Sequence, residues 1–190
     1  MTDLQLNSVS RRGILGAFAA TALVAAPTYT NAFGLLKGAG DIRRIRMYSG
    51  RTGESIDTIY WIEGEYIPEV VKEINNFMRD WRTDDVVKMD PRNFDIMAAA
   101  HRLMDVNEPY MLLSGYRSPK YNLMLRKKGH EVADDSQHSH GHAVDFRVAG
   151  VPTATLRDWV KSLALGGVGY YPDSQFVHAD VGPVRFWKGK

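Results

Sequence analysis

The chain has 190 residues, of which 44% are hydrophobic and 24% are charged, a composition typical of one globular domain with its own core. Its formal net charge of +2 supplies no concentrated basic surface, so no nucleic-acid partner is expected. The sequence contains no cysteine, which excludes disulfides, thiolate catalysis and cysteine-bound zinc and leaves histidine and carboxylate as metal ligands.

Residues 1–32 have the pattern of an export signal. The pair Arg11-Arg12 precedes an apolar run over residues 17–26, and small residues follow toward a plausible cleavage site. The arginine pair after a serine resembles a twin-arginine signal, and an ordinary secretory signal is the alternative. The apolar run is shorter than the ~20 residues that a membrane span needs. We therefore expect a mature domain over residues 33–190 in the periplasm, with no membrane span after signal removal.

The first part of the mature chain predicts a hairpin and two helices. The β-prone runs 42–48 and 55–61 flank a turn that contains glycine. Residues 68–81 begin with a proline and carry apolar side chains at helical spacing. Residues 90–106 begin with Asp-Pro, which is a typical helix start, and continue in the same pattern.

The second part predicts further strands and helices in alternation. In order, the elements are a strand over 111–114, a helix over 121–127, a strand over 143–148, a helix from a Thr153 cap to about Leu165, a hairpin over 168–171 and 175–179, and an irregular end over 182–187. We therefore predict one compact α+β domain in which helices pack on a small antiparallel sheet.

Two short stretches combine histidine with carboxylate. Residues 136–145 read SQHSHGHAVD and hold His138 and Asp145, while residues 176–180 read FVHAD and hold His178. A catalytic zinc typically has three protein ligands and one open position for water. Such a water has a pKa near ~7 and attacks a polarised carbonyl. From the spacing alone, a solvated histidine loop with a turn aspartate remains an equal alternative.

Asp180 is the local candidate for a proton acceptor. Because side chains alternate along a strand, Asp180 and His178 are expected on the same face. A carboxylate there is able to take a proton from an attacking water.

The residues around His138 match a known pattern. Ser136-x-His138-x-x-Gly141-x-Ala143-x-Asp145 resembles the signature of the zinc peptidases that include D-Ala-D-Ala dipeptidases and carboxypeptidases, which are related in fold to the hedgehog signalling domain. Upstream, residues 114–118 read SGYRS and resemble the arginine loop of that family. The tail over residues 166–183 resembles the murein endopeptidase K branch still more closely.

The resemblance implies a site and a substrate. His138, Asp145 and His178 would bind one zinc ion per chain, Arg117 would contact substrate through its planar fork, and Ser136 would orient the peptide. The implied activity is zinc-dependent hydrolysis of peptidoglycan cross-link peptides, between two meso-diaminopimelate residues or between D-alanine and meso-diaminopimelate. No oligomeric state is predicted.

The sequence departs from the dipeptidase pattern at one position, and this affects which residue is predicted as the catalytic base. The dipeptidases carry a glutamate three residues before the last histidine ligand, where this chain has Gln175. Asp180 is then predicted as the base or as a group that orients a ligand. A competing assignment makes Asp180 the third ligand and gives His178 the proton-transfer role. His140 and His142 are expected to be exposed or to lie behind the ligands.

Two other functions remain as alternatives. A D,D-carboxypeptidase or dipeptidase would trim terminal D-alanine instead of cutting cross-links. A non-catalytic, zinc-stabilised domain would bind murein without cutting it, which the missing glutamate favours. The aromatic residues Tyr170, Tyr171 and Trp187 would line a cleft for glycan or peptide, or serve packing alone.

Overall fold

The fold is built on one mixed sheet, which is seen in a computed structural model that describes residues 41–130 and 132–190. The predicted export signal over residues 1–32 lies outside the described residues. The strands are β1 Ile42–Ser49, β2 Ser55–Ile62, β3 Glu65–Tyr66, β4 Tyr110–Ser114, β5 Ala143–Val148, β6 Gly167–Tyr171, β7 Phe176–Asp180 and β8 Arg185–Lys188. The helices are α1 Pro68–Phe77, α2 Arg92–Met104, α3 Pro119–Lys127 and α4 Thr153–Ser162, and a 3-10 turn spans Gln137–His140.

The strand order is β3-β2-β1-β4-β5-β7-β6-β8, and the predicted α+β class is confirmed. The sheet is larger than predicted and not wholly antiparallel, because β1 pairs with β4, and β6 with β8, in parallel. Parallel neighbours need a crossover connection. The segment with α1 and α2 supplies it between β1 and β4.

The core lies between the sheet and the helices. Strand β5 is buried at all but one of its positions, as expected for a central strand. Phe146 of β5 packs edge-to-face on Tyr110 of β4, and the Tyr110 hydroxyl donates to the Met97 carbonyl of α2. Burial of such side chains contributes roughly 1.5–3 kcal/mol each to folding. The central strands are therefore a rigid base for any side chain that they present.

A charged group is also buried beside this core. Arg43 of β1 pairs with Asp95 of α2 at 2.7 Å, and both side chains are almost fully buried. The hydroxyls of Tyr60 and Tyr66 donate to the same carboxylate. Hydrogen bonding of this kind is what makes a buried charge tolerable.

The structure corrects the predicted bounds of several helices: α3 begins at Pro119 and not at 121, and α4 ends at Ser162 and not at about Leu165. Helix α1 ends at Phe77, because the Asp80 side chain accepts from the Arg82 and Ser118 amides and stabilises a turn there. Thr153 is the first helical residue and not the cap, since Pro152 occupies the cap position with extended backbone.

A further correction concerns the end of the chain. The segment predicted as irregular contains β8, which pairs with β6 at the sheet edge. A strand of four residues after Gly182-Pro183 has too little periodicity to be recognised alone.

Within residues 41–130 and 132–190, no helix has the length and apolar character to cross a membrane.

Candidate metal centre

The central strands bring two of the predicted ligands together. Asp145 of β5 lies directly opposite His178 of β7 in the antiparallel register. Residues paired in this way present their side chains on the same face. His138 arrives from the 3-10 turn before β5, which ends at Gly141 with φ of 71°. A side-chain carbon at Gly141 would lie 3.0 Å from the Lys88 carbonyl, so glycine suits both the backbone angle and the space.

The donor atoms of His138, Asp145 and His178 converge on one point. His178 Nδ1 lies 2.8 Å from Asp145 Oδ1, and His138 Nε2 lies 3.2 Å from the same oxygen. The two imidazole nitrogens are 3.2 Å apart. Each of the three residues is at most 8% exposed. The described residues thus contain a compact set of two nitrogens and one oxygen, suited in number and type to a metal ion.

Neighbouring groups fix the tautomer of both imidazoles. His138 Nδ1 lies 2.8 Å from the Gly115 carbonyl, and His178 Nε2 lies 3.0 Å from Asp180 Oδ2. Both partners accept hydrogen bonds, so these nitrogens carry the protons and donate. His138 Nε2 and His178 Nδ1 are left with lone pairs that face each other and Asp145. A cation between them would relieve this repulsion, which is the arrangement found around metal-bound histidines.

The electrostatics of the site agree with this arrangement. Burial alone would raise the pKa of Asp145, but the charges and hydrogen bonds of His138 and His178 outweigh it and hold that pKa well below its ordinary value. Burial lowers the pKa of His138. Burial also opposes a charge on His178, yet hydrogen bonds with Asp145 and Asp180 raise its pKa.

Asp180 is fully buried and surrounded by donors. Its Oδ1 accepts from the amides of Gly167 and Gly182. Arg185 donates to both oxygens, at 3.0 and 2.6 Å, and His178 donates to Oδ2. Burial would raise the pKa of Asp180, but the hydrogen bonds from His178 and Arg185 hold it well below its ordinary value.

Arg117 and Ser136 both line the same cavity as the three donors. Arg117 Nη2 lies 3.3 Å from Asp145 Oδ2, and its backbone amide donates to the His138 carbonyl. Ser136 is 6% exposed and directly precedes the 3-10 turn. The structure therefore places both predicted substrate-binding residues beside the donor cluster.

His140 and His142 lie outside the donor cluster. His140 is half exposed and contacts Asp135 at 2.5 Å, and its ring lies 5.9 Å from that of His142. His101 also lies elsewhere, where its Nε2 contacts the Glu108 carbonyl at 2.7 Å.

The cavity above the donors has a volume of about 680 Å³. Arg185 and Phe176 also line this cavity, and no sequence motif predicts a role for either. Arg185 lies on β8, so its closeness to the site depends on the β6–β8 pairing, whereas Phe176 lies on β7 and pairs with Tyr171 of β6. The arginine has a recognisable position, five residues after Asp180, but that spacing predicts nothing until β8 is known.

The chain is similar to known peptidoglycan endopeptidases. A family model described as Peptidoglycan L,D-endopeptidase MepK matches residues 37–187. The chain is 38% identical to the peptidoglycan L,D-endopeptidase MepK of Escherichia coli K12 over 178 residues, which cover 94% of this chain and 97% of the relative. It is 41% identical to a probable peptidoglycan L,D-endopeptidase MepK of Haemophilus influenzae over 139 residues, which cover 73% of this chain and 75% of the relative. No solved structure matches the chain significantly.

Proposed function

Because the chain belongs to the family of peptidoglycan L,D-endopeptidases of the MepK type, we propose that it is a metal-dependent hydrolase of peptide cross-links in peptidoglycan. One observation carries the proposal: His138, Asp145 and His178 converge, buried, on the floor of a cavity of about 680 Å³. Peptidoglycan lies outside the cytoplasm. The predicted export signal and periplasmic location, by the twin-arginine route, accordingly form part of the proposal.

The relatives' name favours one bond of the two considered. An L,D bond has its carbonyl on an L-configured centre, whereas a cross-link that begins at D-alanine has its carbonyl on a D-configured one. Meso-diaminopimelate carries one centre of each kind. We therefore propose the bond between two meso-diaminopimelate residues as the substrate.

His138, Asp145 and His178 are proposed to hold one zinc ion. When bound, zinc supplies a Lewis acid for the scissile carbonyl and a water with a pKa near ~7. The chain's own contribution is orientation: the Gly115 carbonyl holds His138, and Asp180 holds His178, each with its metal-facing nitrogen unprotonated.

Arg117 is proposed to bind the substrate. Its guanidinium lies at the cavity beside Asp145, and the diaminopimelate residue that supplies the nitrogen of the scissile amide carries a carboxylate next to that nitrogen. A planar guanidinium matches a carboxylate in charge and geometry. Ser136 is proposed to orient the peptide from the same cavity wall.

Asp180 has two proposed roles, base or orienting group, and its contacts favour the second. Both oxygens are occupied by hydrogen bonds from within the chain, and the group is fully buried. A carboxylate in that state reaches the substrate only through His178. We therefore propose that it acts as a positioning residue.

The test uses the full chain, with and without zinc, and purified murein dimers of each linkage, with products identified by mass spectrometry. We expect zinc-dependent conversion of diaminopimelate-linked dimers to monomers, lost in His138→Ala and kept in the matched control His140→Ala. Release of free alanine would identify a carboxypeptidase instead. Binding to murein without cleavage of any linkage, in the zinc-loaded and folded protein, would identify a binding domain and contradict the enzyme.

A further inference from the structure

A row of aromatic side chains forms one wall of the cavity. Its members are Trp187, Tyr171 and Phe176, and we call the row the aromatic wall. The Trp187 ring centre lies 5.3 Å from that of His178, and Trp187 Nε1 donates to the Tyr171 hydroxyl at 3.0 Å. The rings of Tyr171 and Phe176 stack with centres 4.4 Å apart. The wall is therefore continuous from the metal donors outward.

Two glycines fix the position of this wall. A side-chain carbon at Gly169 would lie 2.7 Å from the Trp187 ring, and one at Gly189 would overlap the ring of Tyr171. Both rings thus lie directly against glycine backbone, a close approach that no other residue permits. Even so, all three aromatic residues are only partly buried. The rings are held in place while part of their apolar surface faces the cavity.

Positive charge borders the aromatic wall. The side chain of Arg185 is 43% exposed, and its guanidinium carbon lies 5.0 Å from the centre of the Trp187 ring. Arg185 and Lys190 line the same cavity. The surface therefore combines aromatic carbon with nearby cations. A hydrocarbon chain that ends in a carboxylate is the complementary ligand.

We propose that the aromatic wall is a subsite for the hydrocarbon side chain of the diaminopimelate residue next to the scissile bond, and that it selects the length of that chain. The inference rests on the proposed function. Trp187 is adjacent to a metal donor, so it contacts the part of the substrate within about one residue of the bond. In a diaminopimelate cross-link, that part is a short hydrocarbon chain that carries a carboxylate.

The expected effect follows from the burial of apolar surface. Removal of one methylene group from a buried chain weakens binding by roughly fourfold. A protein with an intact wall should therefore bind a diaminopimelate cross-link about fourfold more tightly than an analogue whose chain is one methylene shorter. Truncation of the wall should reduce this discrimination toward unity.

The experiment measures binding separately from cleavage. In the full chain carrying His138→Ala, which leaves the peptide intact, calorimetry gives Kd for a synthetic diaminopimelate-linked peptide and its shortened analogue. Phe176→Leu and, separately, Trp187→Leu are then added. The matched control is Phe186→Leu, because that ring lies next in sequence to Trp187 but packs against Lys161 of α4.

The subsite is supported if the parent and the control bind the natural peptide more tightly than the shortened analogue and Phe176→Leu loses this difference. Equal discrimination in all variants, or none in the parent, would overturn it. The proposed function is tested separately, by cleavage of the natural cross-link in the zinc-loaded chain with His138 intact. Failure there, with chain-length discrimination retained, would refute the enzyme and leave a binding site for diaminopimelate.

Discussion

Arg185, Asp180 and His178 form a chain of contacts that ends at the metal donors. Arg185 donates hydrogen bonds to both oxygens of Asp180, and Asp180 accepts a hydrogen bond from the imidazole of His178. A bidentate arginine fixes the orientation of a carboxylate, which in turn fixes the ring plane and tautomer of the histidine. Neither Arg185 nor Asp180 needs to touch the substrate to affect the reaction.

Replacement of Asp180 by Asn tests this role. An amide cannot accept from His178 and Arg185 as a carboxylate does, so the His178 tautomer is no longer fixed. We expect zinc affinity and kcat/KM to fall together, each by about 10–100-fold. Zinc affinity is measured by competition with a chelator, and kcat/KM is measured on murein dimers.

The exposed turn residue Asp173 provides the control, and Asp173→Asn should change neither quantity. A large loss of kcat in Asp180→Asn with unchanged zinc affinity would contradict the positioning role and support a catalytic base.

A second substitution tests the contact between Arg185 and Asp180. Arg185→Ala removes both hydrogen bonds to Asp180 and leaves a buried carboxylate less well compensated. We expect weaker zinc binding, although Arg185 does not contact any of the three donors. Arg185→Lys should restore part of the affinity, because it keeps the charge but not the bidentate geometry. If zinc affinity stays at the wild-type value in Arg185→Ala, the expectation that Arg185 positions His178 through Asp180 is refuted.

The central strands were predictable and the edge strand was not. The apolar run from Ala143 to Val148 identifies β5, and the histidine and aspartate motifs identify the donors that it and β7 present. Strand β8 has four residues, and β7 lies between it and its partner β6 in the sequence, so no local pattern marks it. The position of Arg185 is not predictable for the same reason, whereas Phe176 lies in the predicted hairpin and meets Tyr171 through the pairing of β6 with β7.

The 3-10 turn before β5 ends at Gly141, and Gly129 provides a matched control for the substitution of Gly141. Gly141 and Gly129 both have positive φ, but a side-chain carbon would be crowded only at Gly141, 3.0 Å from the Lys88 carbonyl. Left-handed backbone costs a non-glycine residue about 1–2 kcal/mol. We expect Gly129→Ala to destabilise by about that amount and Gly141→Ala by more, with weaker zinc binding in Gly141→Ala alone.

Urea denaturation and zinc titration of the two variants provide the measurements. Equal losses of stability, with zinc affinity unchanged in both, would show that the Lys88 contact does not position His138.

The metal donors join parts of the chain that are far apart in sequence. His138 and His178 are 40 residues apart, and Asp145 is 33 residues from His178. A zinc ion that binds the folded state alone shifts the folding equilibrium by mass action. At a free zinc concentration of 100 times Kd, we expect the free energy of unfolding to rise by about 2.7 kcal/mol.

Thermal or urea unfolding with buffered zinc checks this expectation. His138→Ala should abolish the increase and His140→Ala should keep it. An increase of the same size in His138→Ala would place the stabilising ion elsewhere.

The wide separation of the donors also determines when the proposed zinc site can form. His178 meets Asp145 only after β7 pairs with β5, so the site forms only once the sheet has folded. Sites of nitrogen and oxygen ligands bind copper more tightly than zinc, and the ion they acquire depends on local supply. If residues 1–32 direct the folded protein through the twin-arginine route, the site is filled from the cytoplasmic metal pool before export. The export pathway would then decide which metal the enzyme carries as well as where it works.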